Sequence, residues 1–412
     1  MKQNISLIFR VARISGLLAL SILASVQASD WPQFRGPNSA AYLSQAQMPT
    51  APQVEWTAEL PGRGLSSPII VGDKVFVTAS SGPKQERLHV ICFKTADGSK
   101  VWERELRATG RTMSHNKTCV AAPTPCSDGK NVYALWSSND LAAFDLAGNL
   151  LWVRGLTVDY ANASNSLGMS SSPIVVGETV VTVIENDSES YTLGIDARSG
   201  RNLWKLDRPK SANWSSPIVW QPDPSTPPVA VLQSKDGLMG VDPATGSRLW
   251  EYKDGASTMS SSVAGNGVIY AASKGITAIQ PGTTGGDPAQ LWRSEQMNAA
   301  TGSPILMGDR VFVINSAGVL AVADAKTGER GWKLRLKGPF SGSPVGAGNL
   351  LAAIGEKGLL QIVDVTAPEG AVVGSLDLKD QLAEKELILC TPSLSGGKIF
   401  LRSDRKLWRV GG

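Results

Sequence analysis

One short phrase recurs along this chain and dictates its architecture. A hydroxyl residue followed by proline introduces an apolar stretch at Ser67-Pro68, Thr124-Pro125, Ser172-Pro173, Ser216-Pro217, Ser303-Pro304, Ser343-Pro344 and Thr391-Pro392. An eighth copy, Ser260-Ser261-Ser262-Val263, keeps the serines without the proline. Downstream of each comes a Gly or Asp turn and a β-rich run, as in Gly72-Asp73-Lys74-Val75-Phe76-Val77. Later in the unit a strand runs through a turn into tryptophan, clearest in Ile195 to Trp204 and Val241 to Trp250. The phrase also ends at Trp102, Trp152, Trp292 and Trp332, whereas the seventh unit places Leu376 where Trp is expected. A fixed period of this kind marks a repeat architecture, in which each unit buries its apolar face against its neighbours.

Each unit reads as four short strands joined by Gly, Asn and Asp turns. Over residues 29–412, 384 residues shared among eight units give 48 each, the size of a four-stranded propeller blade. No sustained helical periodicity competes, although Leu378 to Leu387 is compatible with one short helix. The last copy, Cys390 to Val410, holds only three strands, and Val54 to Leu60 is an orphan strand near the start that contains Trp56. Pairing the two leaves no open sheet edge. The expectation is an all-β, eight-bladed β-propeller of four-stranded blades, closed by an N-terminal strand that completes the last blade and filling residues 29–412 as one domain.

Residues 1–28 read as an address. Lys2, Arg10 and Arg13 precede the apolar run Ile14 to Ala24, and Val26-Gln27-Ala28 offers a small-residue cleavage site. The run is shorter than the roughly 20 residues a membrane span needs, and no second long apolar stretch follows. A periplasmic or secreted chain is expected. Its formal charge of +4 and the lack of long like-charge runs give nucleic acid no purchase. Four cysteines and two histidines supply no zinc or iron motif. Cys119 and Cys126 are close enough in sequence to close a small disulfide loop, or to stay free; Cys92 and Cys390 lie in apolar runs and read as buried thiols.

The repeated Asp-x-x-Thr/Ser-Gly-x-x-x-Trp phrase with its Ser-Ser-Pro strands resembles the PQQ-like, tryptophan-docking β-propeller repeat family. The mature start Asp30-Trp31-Pro32-Gln33-Phe34-Arg35-Gly36-Pro37 looks like the opening of its secreted bacterial members. The resemblance implies that the tryptophans lock neighbouring blades. It implies two further roles: quinoprotein dehydrogenases of related fold bind PQQ above the ring with calcium, an Asp base and an adjacent-Cys disulfide, and an outer-membrane assembly accessory of related fold is a lipoprotein. Here no two cysteines are adjacent, no large insert roofs the ring, and no Cys follows the leader. No catalytic residue, metal ligand or cofactor is therefore expected, with PQQ and calcium as the alternative.

If strands run outward from the axis, the loops between blades and those between second and third strands share one mouth. These carry Arg63, Arg111, His115, Asn116, Lys117, Asn165, Asp187 and Trp214, among others. Arg63, Arg111, His115 and Lys117 are expected to form a basic sector opposite the acidic stretch Glu185 to Glu189. Such a mouth suits an envelope protein, an extended peptide, a saccharide or an anionic ligand on a monomeric scaffold; the plainer alternative is an ordinary solvated rim.

Overall fold

A computed structural model describes residues 30–163, 167–282 and 286–412. Residues 1–28, read as a leader, lie outside the described residues. Eight four-stranded antiparallel blades are arranged round an axis, the seventh extended by a fifth, parallel strand, and in the first six blades the strands run outward in chain order. The third blade is typical: Ile174–Val176, Thr179–Ile184, Tyr191–Asp196 and Asn202–Asp207. Its second strand is buried along its whole length, because neighbouring blades cover both faces. The β-branched Thr-Val-Val-Thr-Val-Ile run meets that need, while the outermost Asn-Leu-Trp-Lys-Leu-Asp carries charge on its open side.

The ring closes as the sequence predicts. Gln53–Glu59 forms the outermost strand of the last blade, paired antiparallel with Lys406–Gly411 so that Trp56 faces Arg409 and Ala58 faces Leu407. The tryptophans then lock blade to blade. The indoles of Trp56, Trp102, Trp152, Trp204, Trp292 and Trp332 each lie on the turn glycine of the following blade: a Cβ on Gly98 would stand 2.6 Å from Trp56, and one on Gly200 2.7 Å from Trp152. Those glycines also hold φ of +70° and +72°, so one residue type meets a conformational and a steric demand together. The indole N–H of Trp56, Trp102, Trp152, Trp204 and Trp292 donates to a carbonyl of the same turn at 2.8–3.0 Å. The phrase's Asp caps that turn, as where Asp324 accepts the Lys326 and Thr327 N–H groups.

Two expectations need correction. By register the residue of blade seven that matches the tryptophans is Gly374, opposite Ile362, not Leu376. The amino-terminal chain fills the missing indole's place, since a Cβ on Gly374 would lie 2.1 Å from the Thr50 carbonyl oxygen. The expected helix over Leu378–Leu387 is a single 3₁₀ turn, Lys379–Gln381. There the last blade competes for the backbone: Gln381 accepts from the Trp408 indole and the Lys406 ammonium, and Lys385 turns at φ +64°.

Candidate functional site

The amino-terminal segment passes across one end of the axis and seals it. Trp31 is fully buried and exchanges both backbone hydrogen bonds with Ile70 of the first blade, and the Pro32 carbonyl accepts from Ser127 of the second. Beyond the axis, Arg35 donates to the carbonyl oxygens of Ser262, at 2.8 Å, and of Pro304, in blades five and six. Tyr42–Leu43 then joins the innermost strand of blade seven in parallel. Arg35 is fully buried and has no carboxylate partner among the described residues; burial pulls its pKa down to about 9, which leaves it charged at neutral pH. Phe34, beside it, forms part of the lining of a cavity of about 420 Å³ that opens at the other end.

The wall of this cavity is the recurring hydroxyl residue itself. Ser67, Thr124, Ser172, Ser216, Ser261, Ser303, Ser343 and Thr391, one per blade, all line it. The backbone N–H of each of the first seven donates to the hydroxyl of the next at 2.9–3.0 Å, which makes a girdle round the axis. This explains the following proline, a residue with no N–H left to satisfy in a crowded interior. In the copy without proline, the Ser262 N–H donates to Gln233 Oε1 at 3.0 Å. The eighth link, from Thr391 to Ser67, is not made, and the Ser67 Oγ is buried without a partner. At that seam a buried Arg402 is held by the Thr78, Ser403 and Asp404 carbonyls and the Ser66 hydroxyl.

Loops between blades and loops within them do share the mouth. His115, Lys117 and Trp214 line the cavity, as the sequence reading proposed for the rim. Lys117 reaches from the loop after blade one to Glu356 of blade seven, with Nζ 3.0 and 3.2 Å from the carboxylate oxygens, and Ser341 donates to the same carboxylate at 2.6 Å. Arg63 stands near the seam, 3.3 Å from Asp404 and donating to the Asn116 carbonyl at 3.2 Å. Arg111 is exposed beside Met113, and Asn165 lies outside the described residues. Trp214 is half-buried, its indole donating to the Gly168 carbonyl at 2.7 Å.

The expected opposition of a basic and an acidic sector does not form. Glu185 is buried, 2.6 Å from Arg208 and hydrogen-bonded to Asn213, and burial pushes its pKa up. Glu189 lies 3.8 Å from Lys205, and Asp187 is exposed without lining the cavity. Arg63, Lys117, Glu185 and Glu189 each pair with a partner outside the expected opposition, which removes the contrast between the two sectors. Met113 and Leu167, which the sequence reading did not name, are exposed around the mouth together with Met259. The tandem Phe34-Arg35 and the hydroxyl girdle were visible as motifs, yet their convergence on the axis was not.

The lining contains no Asp or Glu, and no three His, Cys, Asp or Glu side chains among the described residues come together as a metal set. A calcium ion, which needs several hard oxygen ligands including carboxylates, does not fit these residues. All four cysteines are free and buried, so the disulfide alternative for Cys119 and Cys126 is not taken. Burial raises their thiols, those of Cys92 and Cys119 to about 12 and that of Cys390 to about 11, which suppresses thiolate chemistry.

The family model described as outer membrane protein assembly factor BamB matches residues 50–219, 162–322 and 273–410. Among solved structures, BamB from Moraxella catarrhalis is similar at 17% identity and TM-score 0.64, covering 88% of this chain and 98% of that one. A europium-containing methanol dehydrogenase gives 11% and 0.68, covering 93% and 98%. A quinohemoprotein alcohol dehydrogenase from Comamonas testosteroni gives 13% and 0.67, covering 93% and 81%. No curated protein sequence matches. Identities this low carry the fold alone. The family model, by contrast, spans most of the chain in three overlapping matches, and the protein belongs to the PQQ-like β-propeller repeat family that this model describes.

Proposed function

We propose that this protein is an exported, non-catalytic binding scaffold of the cell envelope, and that it presents the open mouth of its ring to a protein or peptide partner. The observation that carries this reading is the mouth itself. Exposed Met113, Leu167 and Met259 surround half-buried Trp214 above a blind cavity, and Arg63 and Lys117 nearby are already paired with carboxylates. Exposed apolar groups gathered at an opening and rimmed by polar side chains are a common mark of protein interaction sites. Methionine suits extended segments because its unbranched side chain adapts to different surfaces. The family's description, an outer membrane protein assembly factor, supports an envelope role. No helix among the described residues is long and apolar enough to cross a membrane.

Site-specific photo-crosslinking tests the reading. A photoreactive residue at Met259 is expected to capture discrete partners in envelope preparations, while one at Leu249, exposed on the outer wall, captures none of them. The same adducts from both positions, or none from Met259, would remove the mouth as the binding surface.

A further inference from the structure

The chemistry inside the cavity is one-sided. Each ring hydroxyl from Thr124 to Thr391 accepts a backbone N–H, which occupies one of its two lone pairs and leaves its O–H to donate. None of the eight donates to a protein atom among the described residues, and the Ser67 Oγ, on a residue 1% exposed, has no partner at all. The lining holds no carboxylate, and its ionisable side chains are His115 and Lys117. Beneath the Phe34 floor lies the buried Arg35 cation, bonded only to carbonyls. Leu65, Trp214, Met259 and Leu389 add apolar surface to the wall.

Unused O–H donors from every blade, no carboxylate in the lining, an uncompensated cation at the sealed end and apolar groups in the wall define what fits. A carboxylate loses several kcal/mol of hydration when buried and enters only where multiple donors replace its water. Charge-assisted hydrogen bonds are the strong ones, and hydroxyls converging from several blades supply them to one anion. We infer that the axial cavity binds a carboxylate carried on an apolar stem, inserted from the mouth with its oxygens among the ring hydroxyls. A peptide's free C-terminus behind an apolar residue and a small aryl acid share this chemistry. The inference deepens the mouth-binding reading and rests on it for the route of access.

Calorimetric titration with two pairs of probes tests it: 3-phenylpropionate against its amide, and an acetylated tripeptide ending in Phe as free acid against its C-terminal amide. At least one acid is expected to bind, and at least tenfold more tightly than its own amide. Binding by the peptide acid alone identifies a chain-end reader, and binding by the aryl acid alone a small-molecule pocket. No binding by either acid at millimolar concentration, or equal affinity of acid and amide, overturns the inference. Ser67→Ala adds an independent readout. Its hydroxyl accepts no N–H, so its loss severs no link of the girdle, and the melting temperature is expected to hold. Affinity for the acid is expected to fall about tenfold, and unchanged affinity counts against the site. If acids bind while Met259 yields no crosslinks, only the partner reading fails. If crosslinks form equally in wild type and Ser67→Ala and no acid binds, only the carboxylate reading fails.

Discussion

The Trp56→Ala substitution probes the seam where the amino-terminal strand closes the ring. Trp56 is 9% exposed, lies on Gly98, packs edge-on to Phe400 with centroids 6.0 Å apart, and donates to the Thr95 carbonyl at 2.9 Å. Truncating a buried indole costs about 3–5 kcal/mol, a range that includes the cavity left behind and overlaps the loss of one hydrogen bond. At about 2.1 cal/mol/K per residue over roughly 380 residues, 4 kcal/mol lowers the melting temperature by about 5 °C. The location of the effect is more diagnostic than its size. This seam also lacks the Thr391-to-Ser67 link, so blades eight and one are joined by fewer repeated contacts than the other pairs. Hydrogen exchange should therefore accelerate first in Gln53–Glu59 and Lys406–Gly411. Gly98→Ala attacks the same contact from the other side, and the double variant should cost clearly less than the two singles together. Additive costs, or protection lost evenly round the ring, would refute the closure argument.

Four further outcomes are expected. Gly374→Trp, which restores the repeat's residue to blade seven, should destabilise by about 1–3 kcal/mol in urea unfolding, because the Thr50 backbone occupies that space; stabilisation would show the displacement argument to be wrong. Gln233→Leu leaves the buried Ser262 N–H without an acceptor and should cost about 1–3 kcal/mol, and Ser262→Pro in the same background should recover part of the loss. The turn carboxylates Asp196 and Asp324 are held below their usual pKa by Ser199 and Thr327 respectively. Their stabilising effect is thus present above about pH 4 and is lost as pH falls through the depressed folded-state values, so Asp196→Asn with Asp324→Asn should flatten the acid limb of the stability curve. The four thiols should resist a disulfide reagent at pH 8 in the native state and all react in denaturant; rapid native labelling would contradict their burial.

Much of the fold was legible because the determinants repeat locally. Tryptophan, turn glycine and capping aspartate lie within about ten residues of each other, and eight copies average out irregularities in any one. Closure was legible too, since an orphan strand and a three-stranded remainder are complementary. The candidate site was legible only in part. His115, Lys117 and Trp214 were identified as rim residues and do line the cavity, but the charges were paired wrongly. Sequence separation says nothing about which carboxylate lies nearest: Lys117 meets Glu356 239 positions away, whereas Glu185 is spent on Arg208 within its own blade.

By itself, then, the order of residues determined the β-rich unit, its number and the ring that eight such units make, since short-range turn chemistry and period-two burial are properties of neighbours along a chain. Tertiary structure alone decided that Phe34 and Arg35 seal one end of the axis, that Thr50 stands in for an absent indole, and that eight hydroxyls meet as a ring of donors. Each of these depends on atoms from distant segments occupying one small volume, and that coincidence exists only after the ring has closed.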